Sequence, residues 1–154
     1  MSIEKVAEFH KTFKSPILEK PQFPNKDRQE LRVNLLQEEL DEFKEAIKNK
    51  DIVEVADSLT DLQYVLYGAL LEFGLGDKMI ELFNEVHRSN MSKACLTEDE
   101  AKETCDFYYK KDGTETFYEE RGGRWFVYRK GDGKSLKSIN YSPADLKSIL
   151  NGSN

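Results

Sequence analysis

The sequence predicts a mainly α-helical protein: an antiparallel helix bundle, then a small C-terminal β-meander and a short terminal helix. Three observations carry this. Val33, Leu36, Leu40, Phe43 and Ile47 repeat at the a/d spacing of a helical seam, and residues 52–71 are almost wholly apolar or small. Only Lys48 and the turn Asn49-Lys50-Asp51 separate those two stretches, so they fold back on each other as an antiparallel hairpin. Farther on, Phe107-Tyr108-Tyr109, Thr116-Phe117-Tyr118 and Trp125-Phe126-Val127-Tyr128 are aromatic and β-branched runs, punctuated by Asp112-Gly113 and Gly122-Gly123. A boundary near residue 95 divides the 154 residues into an all-α domain, 1–95, and a small α+β extension, 96–154, packing on it.

In chain order, Ile3, Val6, Ala7, Phe9, His10 and Phe13 predict a first short helix, with His10 as a packed core residue beside its two phenylalanines. Pro16, Pro21 and Pro24 make 15–25 an ordered, extended connection. Asn25 then caps a helix from Lys26 to about Lys48, and Asp51 caps a third that ends near Gly74 or Gly76. Asp77 opens a fourth, running to about Lys93. Thr97-Glu98-Asp99-Glu100 has capping-box spacing and predicts a short helix to about Cys105. The three aromatic runs read as strands whose rings either pack on the helices or stack on a base; a three-stranded sheet must bury one face, which favours packing. After a turn at Gly131-Asp132-Gly133, Ser142-Pro143 predicts the start of a last helix through Leu150, and Asn151 to Asn154 a frayed tail.

The net charge of −6 argues against binding DNA, RNA or an anionic membrane surface, although metals held by acids can still accept a polyphosphate. The run from Leu62 to Leu71 is far short of the ~20 apolar residues a bilayer span needs, and Met1 to Lys5 carries no export signal. A cytoplasmic protein with Cys95 and Cys105 as free thiols is the expectation.

The chemistry gathers in the hairpin. At about 100° per residue, Glu38, Glu39 and Glu42 form one acidic stripe on the second helix, and Glu54, Asp57 and Asp61 form another on the third. The hairpin makes the stripes face each other. From Ile52 to Leu71 these three acids are the sole charged residues, so burying them requires a partner from outside the helix, and a hard divalent cation is the natural candidate. Arg28 and Arg32 precede the first stripe; they read either as helix charge and salt bridge or as contacts to substrate phosphate.

Glu38-Glu39-x-x-Glu42 followed by Glu54-x-x-Asp57 resembles the motif pair of the all-α nucleoside triphosphate pyrophosphohydrolases, which include MazG-like proteins, dimeric dUTPases and phosphoribosyl-ATP pyrophosphohydrolases. The stretches Glu54 to Gly68, His87 to Lys93, and Asp132 to Lys137 running into Tyr141 to Leu146 resemble MazG-like proteins in particular. The likeness covers about residues 3–93 and 128–150 and fails between Cys95 and Arg124, a region longer than such proteins lead one to expect. It implies hydrolysis of a nucleoside triphosphate between the α and β phosphorus atoms, with Mg²⁺ or, in its place, Mn²⁺. On that resemblance Glu39, Glu42, Glu54 and Asp57 are metal ligands, and Glu38 positions or deprotonates the attacking water. Asp61 shares the stripe, which suits it to bind metal directly or through water. Lys93 and Asn90 would touch phosphate and sugar, Lys134 or Lys137 would close over the site, and His87 would be structural. The expected activity is nucleotide-pool hydrolysis by a homodimer or dimer of dimers. The rivals are a phosphoribosyl-ATP pyrophosphohydrolase and a non-catalytic module that binds nucleotide or divalent cation.

Overall fold

A computed structural model describes residues 2–152. Six helices and one hairpin follow in order: α1 (Ser2–Phe13), α2 (Lys26–Asn49), α3 (Ile52–Glu72), α4 (Met79–Met91), α5 (Glu98–Asp112), β1 (Thr116–Arg121), β2 (Arg124–Arg129) and α6 (Leu146–Asn151). They form two compact units, residues 1–80 with 150–154 and residues 81–149, divided inside α4.

The first unit is built on α2 and α3. Asn25 Oδ1 accepts from the Arg28 amide at 3.0 Å, and Asp51 Oδ1 accepts from Val53 and Glu54 at 3.0 and 3.3 Å, so each helix starts on the cap its sequence offers. Between them Lys50 takes a left-handed φ of 56° and lets the chain reverse. Ile3 and Val6 of α1 pack on Leu71 of α3, with Ile17, Tyr67 and Met79 around them. The proline-rich connection is ordered, as expected: the Leu18 and Gln22 amides donate to the carbonyls of Leu71 and Phe73 at 3.0 and 3.1 Å. His10 is buried, also as expected, its Nδ1 donating to the Pro16 carbonyl at 2.9 Å.

In the second unit Cys95, Ala101 and Val127 form the core, wrapped by Cys105, Tyr118, Trp125 and Leu136. Both cysteines are free thiols. The expected capping box is present. Thr97 accepts from the Glu100 amide at 3.1 Å, and the Glu100 carboxylate reaches back to the Leu96 amide at 2.9 Å. The helix it opens runs to Asp112, two turns past Cys105, so Phe107-Tyr108-Tyr109 is helix and not strand. Gly113 explains the difference: at φ 73° it closes α5, its amide donating to the Tyr109 carbonyl at 2.9 Å, where the sequence suggested a hairpin turn.

The meander is therefore a two-stranded hairpin, β1 against β2, turning through Gly122 and Gly123 at φ 61° and 76°. The far edge of β2 is filled by single bridges from Cys95 to Trp125 and from Ser135 to Tyr128. The last helix also starts later than Ser142-Pro143 implied. Asp145 caps it, accepting from the Ser148 amide and hydroxyl at 3.0 and 2.6 Å, while the Ser142 amide is tied to Ser92 Oγ at 3.0 Å. Asn151 ends α6; residues 153 and 154 of the expected frayed tail lie outside the described residues. No helix among the described residues is long and apolar enough to cross a membrane.

Candidate active site

Helix arithmetic fixes the two sides of the hairpin. Glu39 and Arg32, seven residues apart, share the edge of α2 that meets α3, with Glu38 and Glu42 turned to one side and Val33, Leu40 and Ile47 to the other. On α3 the acids Glu54, Asp57 and Asp61 share the side that carries Gly68, and Ile52, Leu59 and Leu66 lie on the opposite one. Because the helices run antiparallel, the acidic sides coincide. The hairpin thus has one acidic face and one apolar face.

Glu39 sits at the centre of the acidic face. Burial pushes its carboxyl above the ordinary value, and the neighbouring charges of Asp61, Glu42, Glu38 and Asp57 push it the same way. Both helices therefore contribute acids to one electrostatic cluster. Near the turn, Glu42 and Glu54 line a cleft of about 270 Å³ with Glu45, Ala46, Asn49 and Asp51. Glu45 is held by Lys48 at 3.1 Å and Asp51 is used as a cap, whereas Glu42 and Glu54 have no side-chain hydrogen bond or ion pair among the described residues.

One difference from the sequence argument concerns burial. Glu38, Glu42, Glu54, Asp57 and Asp61 are exposed in the single chain, and Glu39 alone is partly buried. Exposure depends on what covers a face, which helical spacing does not report. Yet Glu39 Oε2 is buried with no hydrogen-bond partner, and its nearest charged neighbours are carboxylates. An orphaned acceptor among like charges is a costly arrangement that a bound cation would relieve. The donor set, carboxylate oxygen throughout, suits a hard divalent ion such as Mg²⁺. Among the described residues no three His, Cys, Asp or Glu side chains are gathered closely enough to hold a metal.

The two arginines are elsewhere engaged. Arg28 Nε donates to Glu72 Oε2 at 2.9 Å, and both Arg28 Nη2 and Arg32 Nη2 donate to Glu72 Oε1. The salt-bridge alternative is what the structure displays, and Arg32 is buried instead of lying on the surface. Glu72, fully buried at the end of α3, was missed by the sequence reading. Its signal was there: counting outward from the turn at Lys50 puts residues 28 and 32 opposite 72 and 68.

Asn90 and Lys93 belong to the second unit and pair with each other, Lys93 Nζ donating to Asn90 Oδ1 at 2.7 Å. Lys137 lies over the Tyr141 ring at 4.1 Å. His87 is exposed and lines a cleft of about 510 Å³ with Arg88, Met91 and Arg124.

Residues 6–90 match the family profile of phosphoribosyl-ATP pyrophosphohydrolase, a stretch that holds all six acids. The chain belongs to that family. The family is one of the all-α, MazG-like pyrophosphohydrolases whose motif pair the acids resemble. The match ends at Asn90, before Lys93 and the whole of α5 and the hairpin. An uncharacterised protein of Acanthamoeba polyphaga mimivirus is 31% identical over 151 residues; the alignment takes in 86% of this chain and 60% of that protein. The likeness to this relative therefore extends beyond the family profile, although the chain spans only 60% of the relative's length.

Proposed function

We propose that this chain is a Mg²⁺-dependent nucleotide pyrophosphohydrolase that converts a nucleoside triphosphate and water to the monophosphate and pyrophosphate. The observation that carries this reading is the orphaned, buried Glu39 Oε2 set among the acids of two facing helices. Glu39, Glu42, Glu54 and Asp57 would hold the ion, with Asp61 joining directly or through water. Bound there, Mg²⁺ supplies neutralisation of the triphosphate charge and a more acidic water. Glu38 is exposed and turned about 100° from Glu39, so it projects from the acidic face with its carboxylate free to orient and deprotonate the attacking water. Attack by that water breaks the bridge between the α and β phosphorus atoms, and monophosphate and pyrophosphate leave. Lys93 and Asn90 act on phosphate and sugar, as the resemblance implies. Their mutual bond leaves two ammonium protons and the Asn90 NH₂ available as donors.

A second reading, with phosphoribosyl-ATP as substrate, is favoured by the family match itself. One assay separates the two. Purified chain is incubated with Mg²⁺ or Mn²⁺, a panel of ribo- and deoxynucleoside triphosphates and phosphoribosyl-ATP, and products are resolved as monophosphate plus pyrophosphate or diphosphate plus phosphate. Divalent-dependent melting with no turnover on any substrate would instead make the chain a binding module.

The opposite face of the hairpin supports a homodimer. Val33, Ile47, Ile52, Leu59 and Leu66 are 65, 54, 75, 45 and 46% exposed, a contiguous apolar surface of the kind a second copy covers. A dimer of dimers would need a second surface besides this one.

A further inference from the structure

We propose that the buried Arg28–Glu72–Arg32 group, admitted by Gly68, is a positioning device that fixes the register of α2 against α3 and thereby brings the acids of the two helices together. The proposal rests on the acidic face being the reaction centre and gives a role to residues outside the set that would hold the metal.

Glu72 is fully buried and Arg32 is 7% exposed. Three hydrogen bonds from two guanidinium groups converge on one carboxylate, and Arg32 Nη2 also donates to His10 Nε2 at 3.2 Å. The bonds are directional, so unlike an apolar contact they are satisfied in one register alone. Gly68 makes the crossing possible. A Cβ there would stand 2.6 Å from Arg32 Nη1 and 3.1 Å from both Arg32 Cζ and His10 Nε2, so the guanidinium passes where any side chain would be.

The distance to the acids is set by the helices themselves. Seven residues beyond Arg32 on α2 is Glu39, and seven residues before Gly68 on α3 is Asp61. In an antiparallel pair those steps run the same way, so the Arg32·Gly68 crossing and the Glu39·Asp61 approach are two levels of one contact line. Asp61 is indeed the acid whose charge bears most strongly on Glu39. A slip of one residue would turn α2 by about 100° and move it ~1.5 Å, enough to take Glu39 off that line. Burial of Glu72 costs stability that only the arginines recover, which is reasonable for a group whose use is alignment.

The test measures Mn²⁺ binding alone, by calorimetry or spin resonance on the full chain, for the parent, Glu39→Gln, Gly68→Ala and Arg28→Lys. Circular dichroism fixes a temperature at which each is folded, and the partly exposed Arg28 makes its lysine variant the gentler of the two positioning changes. The expected result is a Glu39-dependent Mn²⁺ site that weakens by about tenfold in both positioning variants, with kcat falling while KM holds. Mn²⁺ affinity equal to the parent's, with a lowered melting temperature only, would overturn the positioning role and leave the acidic site standing. Absence of any Glu39-dependent Mn²⁺ uptake in the parent would overturn both, and the Glu39→Gln comparison tells that failure apart.

Discussion

Glu39 and Glu72 are carboxylates of one helix–helix pair, the first midway along α2 and the second at the end of α3, and their surroundings push them in opposite directions. Burial works to raise the Glu72 carboxyl, but hydrogen bonds from Arg28 and Arg32, with their charges, hold it below the usual carboxylate value. A lowered acid contributes stability that is present above its unfolded value of about 4.3 and is lost as pH falls through the folded one. Glu72→Gln is therefore expected to cost about 3 kcal/mol near neutrality and to flatten the acid limb of a melting-temperature profile below pH ~4. For Glu39 the sign reverses. Burial and four neighbouring acids raise it, so the folded chain is more stable with that proton on and loses stability as pH climbs through the raised value. Glu39→Gln should raise the melting temperature measured in a chelator, and should erase the further rise that the proposed Mg²⁺ site predicts for the parent. Equal melting of parent and variant in both conditions would contradict the charge cluster.

At the scale of elements, what the sequence reveals depends on whether a residue's signal has one meaning or two. Asn25, Asp51 and the Thr97/Glu100 pair are side chains whose geometry suits a helix start and little else, and each caps the helix expected of it. The facing acids are legible for a similar reason: a three-residue connection leaves an antiparallel hairpin as the compact arrangement. Asp112-Gly113 is ambiguous, because a left-handed glycine serves a hairpin turn and a helix C-cap equally well. With Thr97 and Glu100 holding the start and Ala101 and Thr104 buried, Phe107 to Tyr109 stay helical against their β preference. Gly113→Ala should accordingly cost about 1 kcal/mol, and Thr97→Ala about as much, both read from urea denaturation. A Gly113→Ala change that leaves the midpoint in place would argue against the C-cap. Glu72 is legible only by counting outward from the turn to Arg28, because a lone acid at a helix end has no face until its partner is known.

For the whole molecule, the proposed homodimer and the proposed site would use opposite faces of the same hairpin. Sedimentation at micromolar concentration should find a dimer or larger species, and Ile52→Glu with Leu59→Glu should dissociate it while the chain remains helical. A monomeric parent would contradict the role given to the apolar face. The region from Leu96 onward lies outside the family match, which ends at residue 90. As far as residue 149 it belongs to the compact unit of residues 81–149, whose own core is Cys95, Ala101 and Val127. The central claim is that the acidic face binds Mg²⁺ and directs hydrolysis between the α and β phosphorus atoms. Product analysis of the parent beside Glu39→Ala and Asp57→Ala, with Mg²⁺ and the full substrate panel, tests it most directly. The account predicts monophosphate and pyrophosphate from the parent and no turnover from either variant; diphosphate and phosphate from the parent, or undiminished pyrophosphate release from a variant, would contradict it.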